Sequence, residues 1–141
     1  MKIFNSQQEE KIMHAITMAE NRTSGEIRVC IEKKCPLEAM TQAAKRFGEL
    51  NMHKTVLKNG VLIYLATEDH KFAIIGDEGI NKKVPENFWE ETKNIMAELF
   101  KQEQFAEGLI AGIDRAGIQL RTFFPRSDDD INELPNEVVY F

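Results

Sequence analysis

The segment GVLIYLAT at residues 60–67 constrains the fold of this chain most strongly. Successive side chains of a strand point to opposite faces of its sheet, so a strand that is apolar on both faces needs a cover on each. The run is far shorter than the ~20 apolar residues that span a bilayer as a helix. We therefore predict a central strand, with helices packed on both faces of its sheet.

Two further strands are indicated on either side of this segment. Residues 26–32, EIRVCIE, alternate apolar and polar side chains, which is typical of a strand. Residues 71–76, KFAIIG, follow the central strand after only a short polar connection. Such a connection predicts that the two strands form a hairpin.

Helical spacing of apolar residues predicts four helices. They cover residues 6–22, 36–52, 84–102 and 105–124. The second helix is expected to bury the stripe Leu37, Met40, Ala44, Phe47 and Leu50. In the last helix, Gly108 and Gly112 lie four residues apart, which indicates close packing against a neighbouring helix.

The order of these elements predicts an α/β fold, an α/β/α sandwich with a small mixed sheet of three to four strands and helices on both faces. We expect one domain over residues 1–125, followed by an acidic tail over residues 126–141. The ending EVVYF either adds a short edge strand or packs on the body of the domain.

The charge is unevenly distributed along the chain. The net charge is −5, and residues 126–141 account for −4 of it, with five acids against one base. A nearly neutral body disfavours a broad phosphate-binding surface, so no nucleic-acid partner is expected. The N-terminus lacks the apolar core of a signal peptide, which predicts a cytoplasmic protein without membrane insertion.

Two pairs of acids flank the predicted hairpin. Glu68 and Asp69 lie in its turn, whereas Asp77 and Glu78 come just after the returning strand. Strands of about five residues that rise ~3.3 Å per residue place the two pairs at opposite ends of the hairpin. The pairs therefore cannot bind the same ion.

A parallel first strand helps to choose between the two ends, because ligands of open α/β sheets usually bind beyond the carboxyl ends of parallel strands. The first candidate site is Glu68, Asp69 and Asp114, around a hard cation, Ca²⁺ or Mg²⁺. The weaker second candidate is Glu26, Asp77 and Glu78. The alternative is that these acids are solvated turn residues, with Asp77 capping the turn that follows it.

The tail contains the calcium-like string SDDDINE at residues 127–133. An EF-hand loop needs a central glycine, and this string has none. We interpret it as a solvated acidic segment.

Three stretches of the chain resemble the TPM domain family. They are TSGEIRVCIE, KNGVLIYLATEDHKFAIIGDEGIN and FAEGLIAGIDRAG, and the resemblance runs from about Ser6 to Phe124. The ending NELPNEV is similar to the short, soluble branch of that family. The resemblance implies an α/β/α sandwich with a divalent-cation site at one end of the sheet. It also implies that many members act by binding or by aiding complex assembly, and some as acid phosphatases.

The motifs favour binding over catalysis. No cysteine is followed six residues later by arginine, and neither a Walker loop nor a Gly-x-Ser-x-Gly elbow occurs. Lys82 and Lys83 stand near the position where the resemblance leads us to expect an acid. We therefore predict a cation-binding accessory or interaction module with a protein partner. The alternative is a metal-dependent phosphatase acting on phosphomonoesters.

Overall fold

A computed structural model describes residues 3–126 and 138–141 of the chain. The helices of this part are α1 (Ser6–Glu20), α2 (Ala39–Glu49), α3 (Glu78–Asn81), α4 (Glu90–Lys101) and α5 (Phe105–Phe123). The strands are β1 (Glu26–Glu32), β2 (Gly60–Ala66), β3 (Lys71–Gly76) and β4 (Val138–Tyr140). No helix of the described residues is long and apolar enough to cross a membrane.

The strands form one mixed sheet in the order β3-β2-β1-β4. β2 lies parallel to β1 and antiparallel to β3, and all seven of its residues are buried. The predicted central strand, the hairpin and the mixed sheet are therefore confirmed. β2 is buried throughout because helices cover both faces of the sheet.

The two faces of the sheet bury different side chains. The odd-numbered residues Ile27, Val29 and Ile31 of β1 join the core cluster that includes residues of α1, α4 and α5. The even-numbered residues face α2, where Cys30 packs in a smaller cluster with Phe47. This alternation places Glu26 and Glu32 on the α2 face of the sheet.

The described C-terminal residues belong to the sheet. β4 pairs in parallel with β1, from Val29 opposite Val138 to Ile31 opposite Tyr140. The first of the two alternatives for EVVYF, a short edge strand, is thus confirmed. The boundary between residues 125 and 126 stays a prediction, and the acidic string SDDDINE lies outside the described residues.

The predicted buried stripe of α2 was wrong in part. Phe47 is buried and Leu50 packs on the core as predicted, but Leu37 and Met40 are 42% and 47% exposed. Ala44 is also exposed, whereas Gln42 and Ala43 are buried. The helix begins at Ala39 rather than at residue 36, and its polar side chains turn inward because a carboxylate of β1 binds them. Apolar spacing alone does not reveal a helix whose buried face carries polar groups.

Two other helix predictions need adjustment. The segment 84–89 forms turns, so α4 begins only at Glu90, and the short helix α3 was not predicted. The prediction for Gly108 and Gly112 is confirmed, because a Cβ at either position would meet Phe100 or Met96 of α4. α5 therefore packs directly on α4 at these two positions.

Candidate functional site

Glu68 and Asp69 lie at the tip of the β2–β3 hairpin, where β1 also ends. The Glu68 amide donates to the Lys33 carbonyl (2.8 Å), and Asp69 Oδ2 accepts from the Cys35 amide (2.7 Å). The first strand is parallel to β2, and its carboxyl end therefore lies close to this pair. One oxygen of Asp69 already has a backbone partner there.

Asp114 is not brought to this tip. It lines a groove of about 630 Å³ between α1 and α5, together with Lys11 and Met18 of α1. α5 begins beside the tip, since the rings of His70 and Phe105 are 6.2 Å apart. Asp114 follows Phe105 by nine residues, or ~13 Å of helix at 1.5 Å per residue.

Within the described ranges, no three His, Cys, Asp or Glu side chains are grouped so that they could hold a metal ion. The combination of Glu68, Asp69 and Asp114 is therefore not assembled by this fold. Cation binding by Glu68 and Asp69 alone stays a prediction. Any cation site on this part of the chain must be completed by other oxygen atoms.

The second candidate lies at the opposite end of the sheet. Glu26 is in register with Gly60, and the Gly60 carbonyl accepts from the Asp77 amide (2.9 Å). Glu26 and Asp77 thus flank a residue that has no side chain. Asp77 also caps α3, because its Oδ1 accepts from the Glu78 amide (2.8 Å), as its position before the turn predicted.

The second oxygen of Asp77 is unusual. Oδ2 is buried and accepts no hydrogen bond from the described residues. Glu26 is only 4% exposed, whereas Glu78 is exposed to solvent. A buried carboxylate oxygen without a donor is costly, which suits this position to a bound cation.

A buried polar network on the α2 face was missed by the sequence prediction. The Glu32 carboxylate accepts from Tyr64 Oη, from Gln42 Nε2 (2.7 Å) and from Arg46 Nη2 (2.7 Å). Arg46 also stacks its guanidinium over the Phe141 ring, 3.9 Å from the centroid. A glutamate at the end of a mostly apolar strand, with Gln and Arg four apart on the next helix, was the available signal.

These contacts set the protonation of Glu32. Burial alone would raise the pKa of this carboxyl, but the hydrogen bonds from Tyr64, Arg46 and Gln42 outweigh it and hold the pKa below its usual value of 4.5. Burial and the bond to Glu32 raise the pKa of Tyr64 in turn. At neutral pH the network is therefore a carboxylate held by three donors.

This shift predicts a pH dependence of stability. Because the folded-state pKa of Glu32 is lowered, its stabilising contribution is present above pH 4.5 and is lost as pH falls through the folded-state pKa. Urea unfolding should show a stability advantage over Glu32→Gln that is constant near neutral pH and shrinks below about pH 4.5. An advantage that stays constant down to pH 2 would contradict the assignment.

Cys30 is poorly suited to act as a nucleophile. Burial, and next the nearby Glu32 carboxylate, raise the pKa of the Cys30 thiol to about 12. The thiolate is the reactive form, and at neutral pH Cys30 is almost entirely protonated. Cys30 and Cys35 are both free and buried.

Comparison with known proteins identifies relatives. The sequence model of the TPM domain family matches residues 1–119 of the chain. A comparison with curated proteins found no match. A solved structure of BA42 protein from the psychrophilic bacterium Bizionia argentinensis is 44% identical, with a TM-score of 0.94. The match covers 99% of this chain and 97% of BA42.

Two more distant structures share the fold alone. The N-terminal domain of cg2496 protein from Corynebacterium glutamicum is 14% identical, with a TM-score of 0.67, over 97% of this chain and 80% of that one. The N-terminal domain of a P. gingivalis protein is 22% identical, with a TM-score of 0.63, over 86% and 79%. Because the family model spans most of its length, the chain belongs to the TPM domain family.

Proposed function

We propose that this TPM domain binds a divalent cation, Mg²⁺ or Ca²⁺, and acts as an accessory or interaction module rather than as an efficient enzyme. The single observation that supports cation binding most directly is Oδ2 of Asp77, which is buried and has no hydrogen-bond partner among the described residues. Asp77 directly follows β3 and lies across Gly60 from Glu26, which is buried. A cation bound between the two strands stabilises the charged form of the Asp77 carboxylate.

The position of Glu26 and Asp77 in the sheet supports the pairing. Glu26 pairs with Gly60 in the sheet, and the Asp77 amide, just after β3, donates to the Gly60 carbonyl on the other side, so Gly60 lies between them. Strands lie ~4.8 Å apart, so their Cα atoms are separated by roughly 10 Å across a residue that has only hydrogen in place of a side chain. Thr55, in the loop that leads into Gly60, also has a buried Oγ1, which forms no hydrogen bond within the described part of the chain.

Two carboxylates suit a weakly held ion. Mg²⁺ is commonly bound through one or two carboxylates and keeps several waters, whereas Ca²⁺ takes six to eight oxygen ligands. Lys82 and Lys83 follow α3 closely and oppose a cation electrostatically. We therefore expect millimolar rather than micromolar affinity, on the order of the weakest protein calcium sites.

A titration of labelled protein with MgCl₂ and CaCl₂ tests the proposal. Amide resonances of Gly76 to Gly79 should shift with added cation, and Asp77→Asn should lose at least tenfold in affinity, because it removes one of the two charges, ~1.4 kcal/mol or more. Asp77→Asn keeps the shape of the residue and an oxygen for the helix cap. Urea unfolding of this variant without cation separates binding from a loss of fold.

Two control variants locate the site. Asp114→Asn should leave the cation response unchanged, because Asp114 lies in the α1/α5 groove. Asp69→Asn should also leave it unchanged if Asp77 is the ligand. A response that Asp69→Asn removes and Asp77→Asn retains would move the site to the hairpin tip and overturn the assignment to Asp77.

The phosphatase alternative is measured on the same samples. An aryl phosphate assay with added Mg²⁺ or Ca²⁺ should show no turnover above that of the Asp77→Asn variant if the domain is an accessory module. Turnover that depends on the cation and is lost in Asp77→Asn would instead support a metal-dependent phosphomonoesterase.

A further inference from the structure

Two consecutive apolar residues are exposed in the loop between α2 and β2. Val56 is 82% exposed and Leu57 is 54% exposed. Single exposed apolar residues are common on protein surfaces, whereas apolar residues that adjoin a cleft mark candidate binding sites.

The loop is held in this position by the fold. Thr55 and Asn59, at its two ends, are buried at 2% and 1% exposure. Asn59 Nδ2 donates to the Ser24 carbonyl (3.1 Å), and the Gly79 amide donates to the Lys58 carbonyl (2.9 Å). Val56 and Leu57 are thus presented to solvent by an anchored backbone.

A cleft of about 310 Å³ adjoins Leu57. We call it the lysine cleft, and it is lined mainly by Leu57, Lys82, Lys83, Phe123 and Pro125. Its apolar walls come from the loop and the C-terminal end of α5, and its charge from the residues after α3. The Lys83 ammonium lies 4.9 Å from the centroid of the Phe124 ring, which restrains that charge beside the cleft.

The charge around the loop is positive. Lys54 and Lys58 flank Val56 and Leu57 in sequence, in addition to Lys82 and Lys83 in the cleft. The exposed acids nearest to these four lysines in the sequence are Glu49, Glu78 and Glu86, so positive charge prevails among the residues of the loop and the cleft themselves. A positive patch on a chain of net charge −5 is a local feature that favours a negatively charged partner.

We propose that the lysine cleft docks an acidic segment of a partner protein, with one apolar side chain of that segment inserted between Leu57 and Phe123. The inference extends the accessory role proposed above and does not depend on cation binding. The lysines pair with the carboxylates of the segment, and the cleft buries its apolar anchor. The occupant is a peptide because a cleft of this size accepts a single side chain, whereas a bilayer surface would contact only the protruding Val56 and Leu57.

A capped synthetic pentapeptide with two acidic residues on each side of a phenylalanine serves as the probe. Titrated into labelled full-length protein, it should shift amides of Leu57, Gly79, Lys82 and Lys83. Leu57→Ser should weaken binding about tenfold, through loss of one apolar contact. Lys82→Gln with Lys83→Gln should weaken it roughly tenfold, through loss of two exposed ion pairs.

The chain offers matched controls for both changes. Leu37→Ser replaces a leucine of similar exposure, 42%, and Lys33→Gln with Lys34→Gln replaces another exposed lysine pair. Both should change peptide affinity by less than about twofold. The same peptide with lysines in place of its acids, or serine in place of its phenylalanine, should produce no saturable shifts.

Three outcomes would overturn the proposal. The first is the absence of amide shifts at millimolar peptide, and the second is an equal loss of peptide affinity in the cleft variants and their controls. The third is a protein that does not bind the peptide but co-sediments with phosphatidylserine vesicles, where Leu57→Ser abolishes the co-sedimentation. The last result would assign the loop to a membrane surface. A cation titration of Leu57→Ser, expected to match wild type, keeps this failure separate from a failure of the cation site.

Discussion

The free energy of unfolding should fall by about 3 kcal/mol when Arg46 is replaced by methionine, because the change leaves a buried carboxylate without its cation. The Arg46 and Glu32 side chains are only 16% and 7% exposed, and Nη2 and Oε2 are 2.7 Å apart. Tyr64 and Gln42 still donate to Glu32, which keeps the loss near the lower end of the 3–5 kcal/mol typical of broken buried pairs. Urea unfolding followed by tryptophan fluorescence measures the change.

Arg115 provides the matched control for this experiment. It pairs with Glu91 at 3.0 Å, but the two side chains are 35% and 75% exposed. Arg115→Met should therefore cost less than about 1 kcal/mol. Equal losses of unfolding free energy in Arg46→Met and Arg115→Met would contradict the prediction, because they would show that burial does not make the Glu32–Arg46 pair more important for stability.

Arg46 also connects the network to the C-terminal strand. Its guanidinium stacks on Phe141, whose amide donates to the Ile31 carbonyl (2.8 Å). Tyr140 Oη donates to Glu9 of α1 (2.8 Å), so β4 is held from both faces of the sheet. Part of the stability lost in Arg46→Met should therefore appear as faster amide exchange in residues 138–141.

The second large effect is expected for Gly79→Ala, which should lower the free energy of unfolding of the protein by about 2–3 kcal/mol. An added Cβ would lie 2.5 Å from the Leu57 carbonyl oxygen and too close to the Lys58 carbonyl as well. These are backbone atoms that cannot rotate away, so either α3 or the loop must move. The hydrogen bond from the Gly79 amide to Lys58 would be strained or lost.

Gly48→Ala is the control with the opposite sign. Gly48 lies in α2 with no atom within 4 Å of an added Cβ. Alanine is favoured over glycine in helices, so this variant should gain up to about 1 kcal/mol. Thermal unfolding of both variants measures the difference in stability. A Gly79→Ala protein as stable as wild type would contradict the prediction, because it would show that the loop moves without loss of stability.

Gly79 also connects the two proposed sites. It lies in α3, two residues after Asp77, and its amide donates to the Lys58 carbonyl of the loop that contains Leu57. Displacing it should impair both the cation response and peptide docking, whereas Asp77→Asn and Leu57→Ser should each impair only one. These three variants together separate two neighbouring sites from a single general disturbance.

Much of the architecture followed from local patterns. The segment at residues 60–67 has no polar face, which predicted a central strand, and the short turn after it predicted the hairpin. Spacing along that hairpin also separated Glu68 and Asp69 from Asp77 and Glu78, and the observed register agrees. Such features depend on residues close in sequence, where the strand repeat fixes direction and distance.

The functional residues were harder to predict because they come from distant segments. Asp114 was expected near the hairpin tip, yet α5 carries it about two and a half turns away, into a groove with α1. The inward polar face of α2 exists only because Glu32 is buried opposite it. Neither relation has a signature in the spacing of either segment alone.

The sequence by itself determined the family, the sheet with its covered central strand, and which acids lie at the same end of the hairpin. Only the tertiary structure decided that Asp77 keeps a buried oxygen to which none of the described residues donates, that Arg46 neutralises Glu32, and that a cleft opens beside Leu57 and two lysines. The physical reason is that strand and helix periods act over a few residues, whereas burial and charge pairing depend on which segments the folded chain brings into contact.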